Sequence, residues 1–88
     1  MTDAQLRTVV LDAISGVAPE ADVGSVDPSA DLREQFELDS FDALNVIVGI
    51  DQALGVEIPE RDYGQLTTLD ACVDYLARRL DEQHVQGS

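Results

Sequence analysis

Leu38-Asp39-Ser40-Phe41-Asp42 opens a run that continues as ALNVIVGIDQAL over residues 43–54. Here a polar loop meets an apolar helix, predicted from about Ser40 to Leu54 and stopped by Gly55. At about 100° per residue, Ala43, Val46, Ile47, Ile50, Ala53 and Leu54 gather on one side as the expected core face. Asp42, Asn45, Gly49 and Gln52 fall roughly opposite. Phe41, Leu44 and Val48 make a separate apolar stripe on the side of Ser40. A surface helix needs only one such stripe. The second is therefore either another buried side of a central helix or a docking patch beside the serine. Asp39 is the expected N-cap. A hydroxyl at a helix N-terminus is exposed, and an anion attached to it sits in a favourable field.

Outward from this run the chain reads as further helices. Thr2 and Gln5 have capping-box spacing. Leu6, Val9, Val10, Ala13, Ile14 and Val17 follow the rhythm of one buried helical face, ended by Gly16 and Pro19. Residues 19–39 read as a long loop with a short turn near Asp31 to Gln35, pinned by Leu32, Phe36 and Leu38. Val56 and Ile58 approach the core after Gly55. Pro59 suits the first position of a short helix to about Gly64, with Tyr63 and Leu66 inward. Thr67 and Asp70 have cap spacing for the last helix, whose buried face is Leu69, Cys72, Val73, Leu76 and Leu80. Arg78 and Arg79 are placed to complement its dipole. The expectation is one all-α domain over residues 1–82, with a polar, frayed tail over 83–88. It has three main helices, one short third helix, and a long loop between the first two.

Net charge is −13, from 18 acidic residues against five arginines and no lysine. Such a chain is repelled by nucleic-acid backbones and anionic membranes and favours basic protein surfaces. Glu34, Glu37, Asp39, Asp42, Asp51, Glu57 and Glu60 form a run with no basic residue inside it, bracketed by Arg33 and Arg61. The one cysteine, Cys72, permits no intramolecular disulfide. The polar N-terminus and the absence of a long apolar run suggest a cytoplasmic protein.

Catalytic parts are missing. The single histidine, His84, lies 44 residues beyond Ser40, and no lysine is available as a base. No metal site is expected: His84 is isolated and Cys72 sits on an apolar face. Calcium-loop and phosphate-cradle motifs are absent. Ser40 therefore reads as an attachment point rather than a nucleophile.

Asp39-Ser40-Phe41-Asp42, Glu57-Ile58-Pro59 and Thr67-Thr68, at their spacing, resemble the landmarks of the acyl carrier protein family. The likeness runs from the first helix to about Leu80. It implies a four-helix bundle with 4′-phosphopantetheine on Ser40, taken from coenzyme A by a separate phosphopantetheinyl transferase, with Asp39 assisting. It implies a non-catalytic, monomeric carrier of acyl thioesters for fatty-acid, polyketide or specialised-metabolite enzymes. Those partners would be acyltransferases, ketosynthases or ligases with basic docking surfaces. Phe41, Asp42, Leu44, Val48, Asp51, Glu57 and Glu60 fall at partner-facing positions of the family or beside them. Val46, Ile47, Ile50, Ile58, Tyr63 and Leu66 fall around its acyl cavity, where an ordinary core is the alternative. Phe41 replaces the usual leucine and Glu37-Leu38 the usual Gly-Ala. Asn45 and Gln52 are neutral where glutamate is common, and Tyr63 is large where a small residue is common. Leu-Asp-Ser-Phe is similar to D-alanyl carrier proteins, so an aminoacyl or aryl carrier loaded by an adenylating ligase is the first alternative. An acidic helical interaction protein without a prosthetic group is the second.

Overall fold

Local caps and apolar spacing divide the chain into four α-helices and two 3-10 turns in the computed structural model, which describes the backbone of residues 1–87 and the side chains of residues 1–81. Helix α1 spans Asp3–Val17. The hydroxyl of Thr2 accepts from the Gln5 N–H at 3.1 Å, and the Gln5 side chain accepts from the Thr2 N–H at 2.9 Å. The capping box is thus complete. The helix continues through Gly16, and Ala18 still donates to the Ile14 carbonyl. Leu6, Val10 and Ile14 are fully buried.

The loop after α1 has structure of its own, a 3-10 turn at Val23–Ser25 and a short helix α2 at Leu32–Gln35. Asp31 caps α2 by accepting from the Glu34 N–H at 3.0 Å. Leu32 donates to the Thr67 carbonyl at 2.8 Å, and Asp70 to the Pro28 carbonyl at 3.0 Å. These two backbone bonds staple the loop to the start of the last helix. Leu32 and Leu38 are buried and Phe36 packs against the core, as their apolar character predicts.

Helix α3, Ser40–Leu54, is capped by Asp39 and ends at Gly55 in the left-handed conformation, φ 66. Val46, Ile47 and Ile50 are buried, whereas Ala53 is exposed. Gly49 does not lie opposite the core. A Cβ there would meet the Ala13 Cβ at 3.5 Å, so its small size lets α1 and α3 approach. The same left-handed reversal ends α2, but at Glu37, φ 54. Leu38 then donates back to the Arg33 carbonyl at 2.9 Å, as Val56 donates back to that of Asp51 at 3.3 Å after α3. Both are Schellman-type endings, one with glycine and one without.

The short third helix is the 3-10 segment Glu60–Gln65, with Pro59 one residue before it. Helix α4 spans Leu69–Gly87. Its cap is Thr68 rather than Thr67: the Thr68 hydroxyl accepts from Ala71 N–H at 3.0 Å, while the Thr67 carbonyl is used by Leu32. The buried face is Leu69, Cys72, Tyr75 and Leu76. Tyr75, not foreseen there, donates its hydroxyl to Asp62 at 2.6 Å. Because α4 continues past them, Arg78 and Arg79 are not at its end. Arg78 pairs with Asp74 at 3.4 Å and Arg79 donates to the Glu57 carbonyl at 2.9 Å. In the tail expected over 83–88, including His84, the side chains lie outside the described residues. Helix α1 packs on both α3 and α4.

Candidate functional site

Asp39 fixes the start of α3. Its carboxylate accepts from the Asp42 N–H at 2.8 Å and its carbonyl from the Ala43 N–H at 2.9 Å. Of the four amides that a helix start leaves without intrahelical partners, those of Asp39, Ser40 and Phe41 have none among the described residues. Ser40 is exposed at this point, beside the positive end of the helix. Its Oγ accepts a hydrogen bond from Arg33 Nη2 at 3.1 Å, and Arg33 Nε donates to the Leu38 carbonyl at 3.4 Å. Arg33 stands out in the sequence only as the last cation before the acidic run. Its reach to Ser40 depends on the reversal at Glu37.

Ser40 is also on the rim of a cavity of about 580 Å³. Arg33, Leu44, Glu60 and Gly64 share the rim. Below it lie Val10, Ile14, Val46, Ile47, Ile50 and Cys72, all buried. Tyr63 and Leu66 line the cavity as well. Ile58, grouped with them by resemblance, does not. It is buried three residues after Gly55, with its backbone N–H directed to the Asp51 carboxylate. Sequence reasoning missed the α1 contribution of Val10 and Ile14, which carries no mark beyond ordinary core spacing. Burial pushes the Cys72 thiol up to about 12, and its Sγ donates to the Leu66 carbonyl at 3.5 Å. It lines the cavity as an apolar group, not as a thiolate.

The second stripe of α3 is uncovered. Phe41 is 70% exposed, and Leu44 and Val48 are each 42% exposed. That excludes a helix buried on two sides. Glu57 and Glu60 are exposed, and Asp42 is half-buried. Asp51 departs from its expected partner-facing place. It is half-buried, with Oδ1 fully enclosed, and burial raises its carboxyl above the usual range against the opposing pull of the Ile58 N–H. Its position one turn before the Gly55 reversal turns it toward the Val56–Ile58 segment and Arg79.

A family model described as the phosphopantetheine attachment site matches residues 8–76, most of the chain. The chain belongs to the acyl carrier protein family. It is 38% identical over 73 residues to an acyl carrier protein of Rubrobacter xylanophilus, covering 80% of this chain and 90% of that one. It is 29% identical over 76 residues to an acyl carrier protein of Thermosynechococcus vestitus, covering 86% and 88%. It is also 29% identical over 58 residues to acyl carrier protein 2, mitochondrial, of Arabidopsis thaliana, covering 66% of this chain and 46% of that relative. Acyl carrier proteins bear a covalent 4′-phosphopantetheine group and work with a phosphopantetheinyl transferase and biosynthetic enzymes. This carrier has residues that fit the group: an exposed hydroxyl, helix-start amides with no partner among the described residues, and an apolar cavity opening beside them. Among the described residues, no helix is long and apolar enough to cross a membrane.

Proposed function

We propose that Ser40 carries the phosphopantetheine arm and that the chain is a non-catalytic, monomeric, cytoplasmic carrier of acyl groups. The observation that carries this reading is the exposed Ser40 hydroxyl at the α3 N-terminus, on the rim of the cavity. Asp39 holds the helix start, and its exposed carboxylate, adjacent to the serine in the chain, would assist the transferase. The Ser40 and Phe41 amides would receive the phosphate. When attached, the arm supplies a terminal thiol for thioester linkage; the chain supplies position, shelter and an address.

The address is the α3 stripe Phe41, Leu44 and Val48, flanked by Asp42, Glu57 and Glu60. An apolar centre with an acidic rim suits acyltransferases, ketosynthases or ligases with basic docking surfaces, and favours fast encounter. Shelter is the cavity lined by Val46, Ile47, Ile50, Tyr63 and Leu66, whose volume lies within the range of small-molecule sites, about 300–1,000 Å³. Fatty-acid, polyketide and specialised-metabolite pathways all use such a carrier. The departures at Phe41 and Tyr63 favour a specialised pathway. Loading of amino or aryl acids by an adenylating ligase is the second reading, favoured by Leu38-Asp39-Ser40-Phe41.

Intact mass after incubation with coenzyme A, magnesium and a broad-specificity transferase tests the attachment. One phosphopantetheinyl addition is expected, and none in Ser40→Ala. Addition that survives Ser40→Ala overturns the assignment. Candidate ligases with ATP and single acids then separate the cargo classes. Loading confined to amino acids would favour the second reading.

A further inference from the structure

We propose that Arg33 is the resident counter-ion of the arm's phosphodiester and holds it at the cavity rim. This deepens the reading that Ser40 carries the arm and rests on it. Arg33 is already seated against the attachment point. Nη2 donates to Ser40 Oγ at 3.1 Å while Nε donates to the Leu38 carbonyl at 3.4 Å. Two contacts from one planar group fix where the guanidinium lies relative to the residue that would bear the phosphate. Joining Oγ to the arm's phosphate as a diester removes none of the Arg33 donors. It places two non-bridging oxygens that share one negative charge one bond beyond phosphorus, within a small rotation of charge-assisted distance, about 2.7–2.9 Å.

Charge makes the pairing consequential. The attached phosphodiester adds a negative charge among Glu34, Glu37, Asp39 and Asp42. No cation occurs between Arg33 and Arg61. The helix start offers partial positive charge; Arg33 offers a full one, at hydrogen-bond distance. Arg33 also lines the cavity beside Ser40. A phosphate drawn to it is drawn to the cavity rim, so the first bonds of the arm leave the protein on that side.

The arrangement is built by a strained turn. Helix α2 ends where Glu37 adopts φ 54, and Leu38 donates back to the Arg33 carbonyl at 2.9 Å. The reversal brings residue 33 over residue 40. Without it the two side chains would point along separate segments.

The test uses the full chain as wild type, Arg33→Gln, Arg33→Lys and Arg61→Gln, each with and without the arm. Mass spectrometry first establishes attachment. In wild type the Arg33 Nε–Hε resonance should move on attachment, and the arm's ³¹P signal should differ from that of Arg33→Gln. At low salt the arm should raise the wild-type Tm by about 2–4 °C more than it does in Arg33→Gln, and added salt should erase that difference. Arg33→Lys should recover part of the gain, since a lysine supplies charge without the fork. Arg61→Gln should behave as wild type. An unmoved Arg33 resonance with identical ³¹P signals in wild type and Arg33→Gln overturns the counter-ion role while leaving Ser40 intact. A wild-type chain that takes no arm overturns both. Should Arg33→Gln fail to fold, the wild-type Arg33 resonance and Arg33→Lys decide the matter alone.

Discussion

Glu37 shows how one residue sets the site's geometry against its own preference. Its φ of 54 lies in the left-handed region, which costs a non-glycine residue about 1–2 kcal/mol. The resemblance places Glu37 where the family usually has glycine, and the backbone explains that preference. Glu37→Gly relieves the strain but loosens the unfolded chain by about 0.5–1 kcal/mol. A net gain of about 0.5–1 kcal/mol is expected, or roughly 2–8 °C in Tm. Glu37→Ala removes the same charge without relieving φ, so a thermal melt of both variants separates the two effects. Equal gains would show that charge alone matters. Tyr75 carries a pH signature. Burial, then its bond to Asp62, holds the phenol up to about 12 against an ordinary 10.0. The folded state thus favours the neutral hydroxyl. Its stabilisation is complete below pH 10 and is lost as pH rises toward 12. Buried Cys72, also held up to about 12 but from 9.0, adds its own loss starting lower. Tyr75→Phe should cost about 1 kcal/mol at pH 7 and flatten the fall of Tm between pH 10 and 12. Melts at neutral and alkaline pH check this; an unchanged alkaline slope would contradict it.

Helix α3 does two jobs with two faces. Ile50 is 1% exposed and Leu44 42% exposed, although both are aliphatic and lie six residues apart. Ile50→Arg buries a charge with no partner and should prevent folding, seen as lost helical circular dichroism. Leu44→Arg keeps the helix and should leave Tm within a few degrees. It places a cation and a long side chain on the surface proposed to meet basic partners. Turnover by a docking enzyme should fall at least about tenfold. Comparable destabilisation in the two variants would mean that the stripe is core. The faces follow from helical spacing, but their fates do not. Periodicity shows two apolar stripes, and only the packing of α1 on one of them leaves the other exposed. Asp51 makes the same point: a carboxylate in a surface-like position is turned inward by the Gly55 reversal. Ile58, three residues after Gly55, is buried but does not line the cavity, and its backbone N–H is used by Asp51.

Across the molecule, acid charge is compensated in few places. Among the described residues, the one ion pair joins Arg78 to Asp74, while Arg33 serves Ser40 and Arg79 a backbone carbonyl. A net charge of −13 on 88 residues then acts mainly as self-repulsion. Raising ionic strength from about 0.01 M to about 0.15 M shortens the screening length from about 30 Å to about 8 Å. Tm should rise by several degrees, and a flat response in a salt series of melts would contradict the repulsion. The sequence by itself determined the helices, the caps at Thr2 and Asp39, the stop at Gly55 and the exposed serine. Each depends on residues within a few positions of one another, where backbone geometry and apolar spacing act locally. Only the tertiary structure decided that Arg33 meets Ser40, that Gly49 admits Ala13, that Tyr75 reaches Asp62, and that Val10 and Ile14 help line the cavity. Those contacts depend on which elements meet and at what angle, and that is settled by packing over the whole chain.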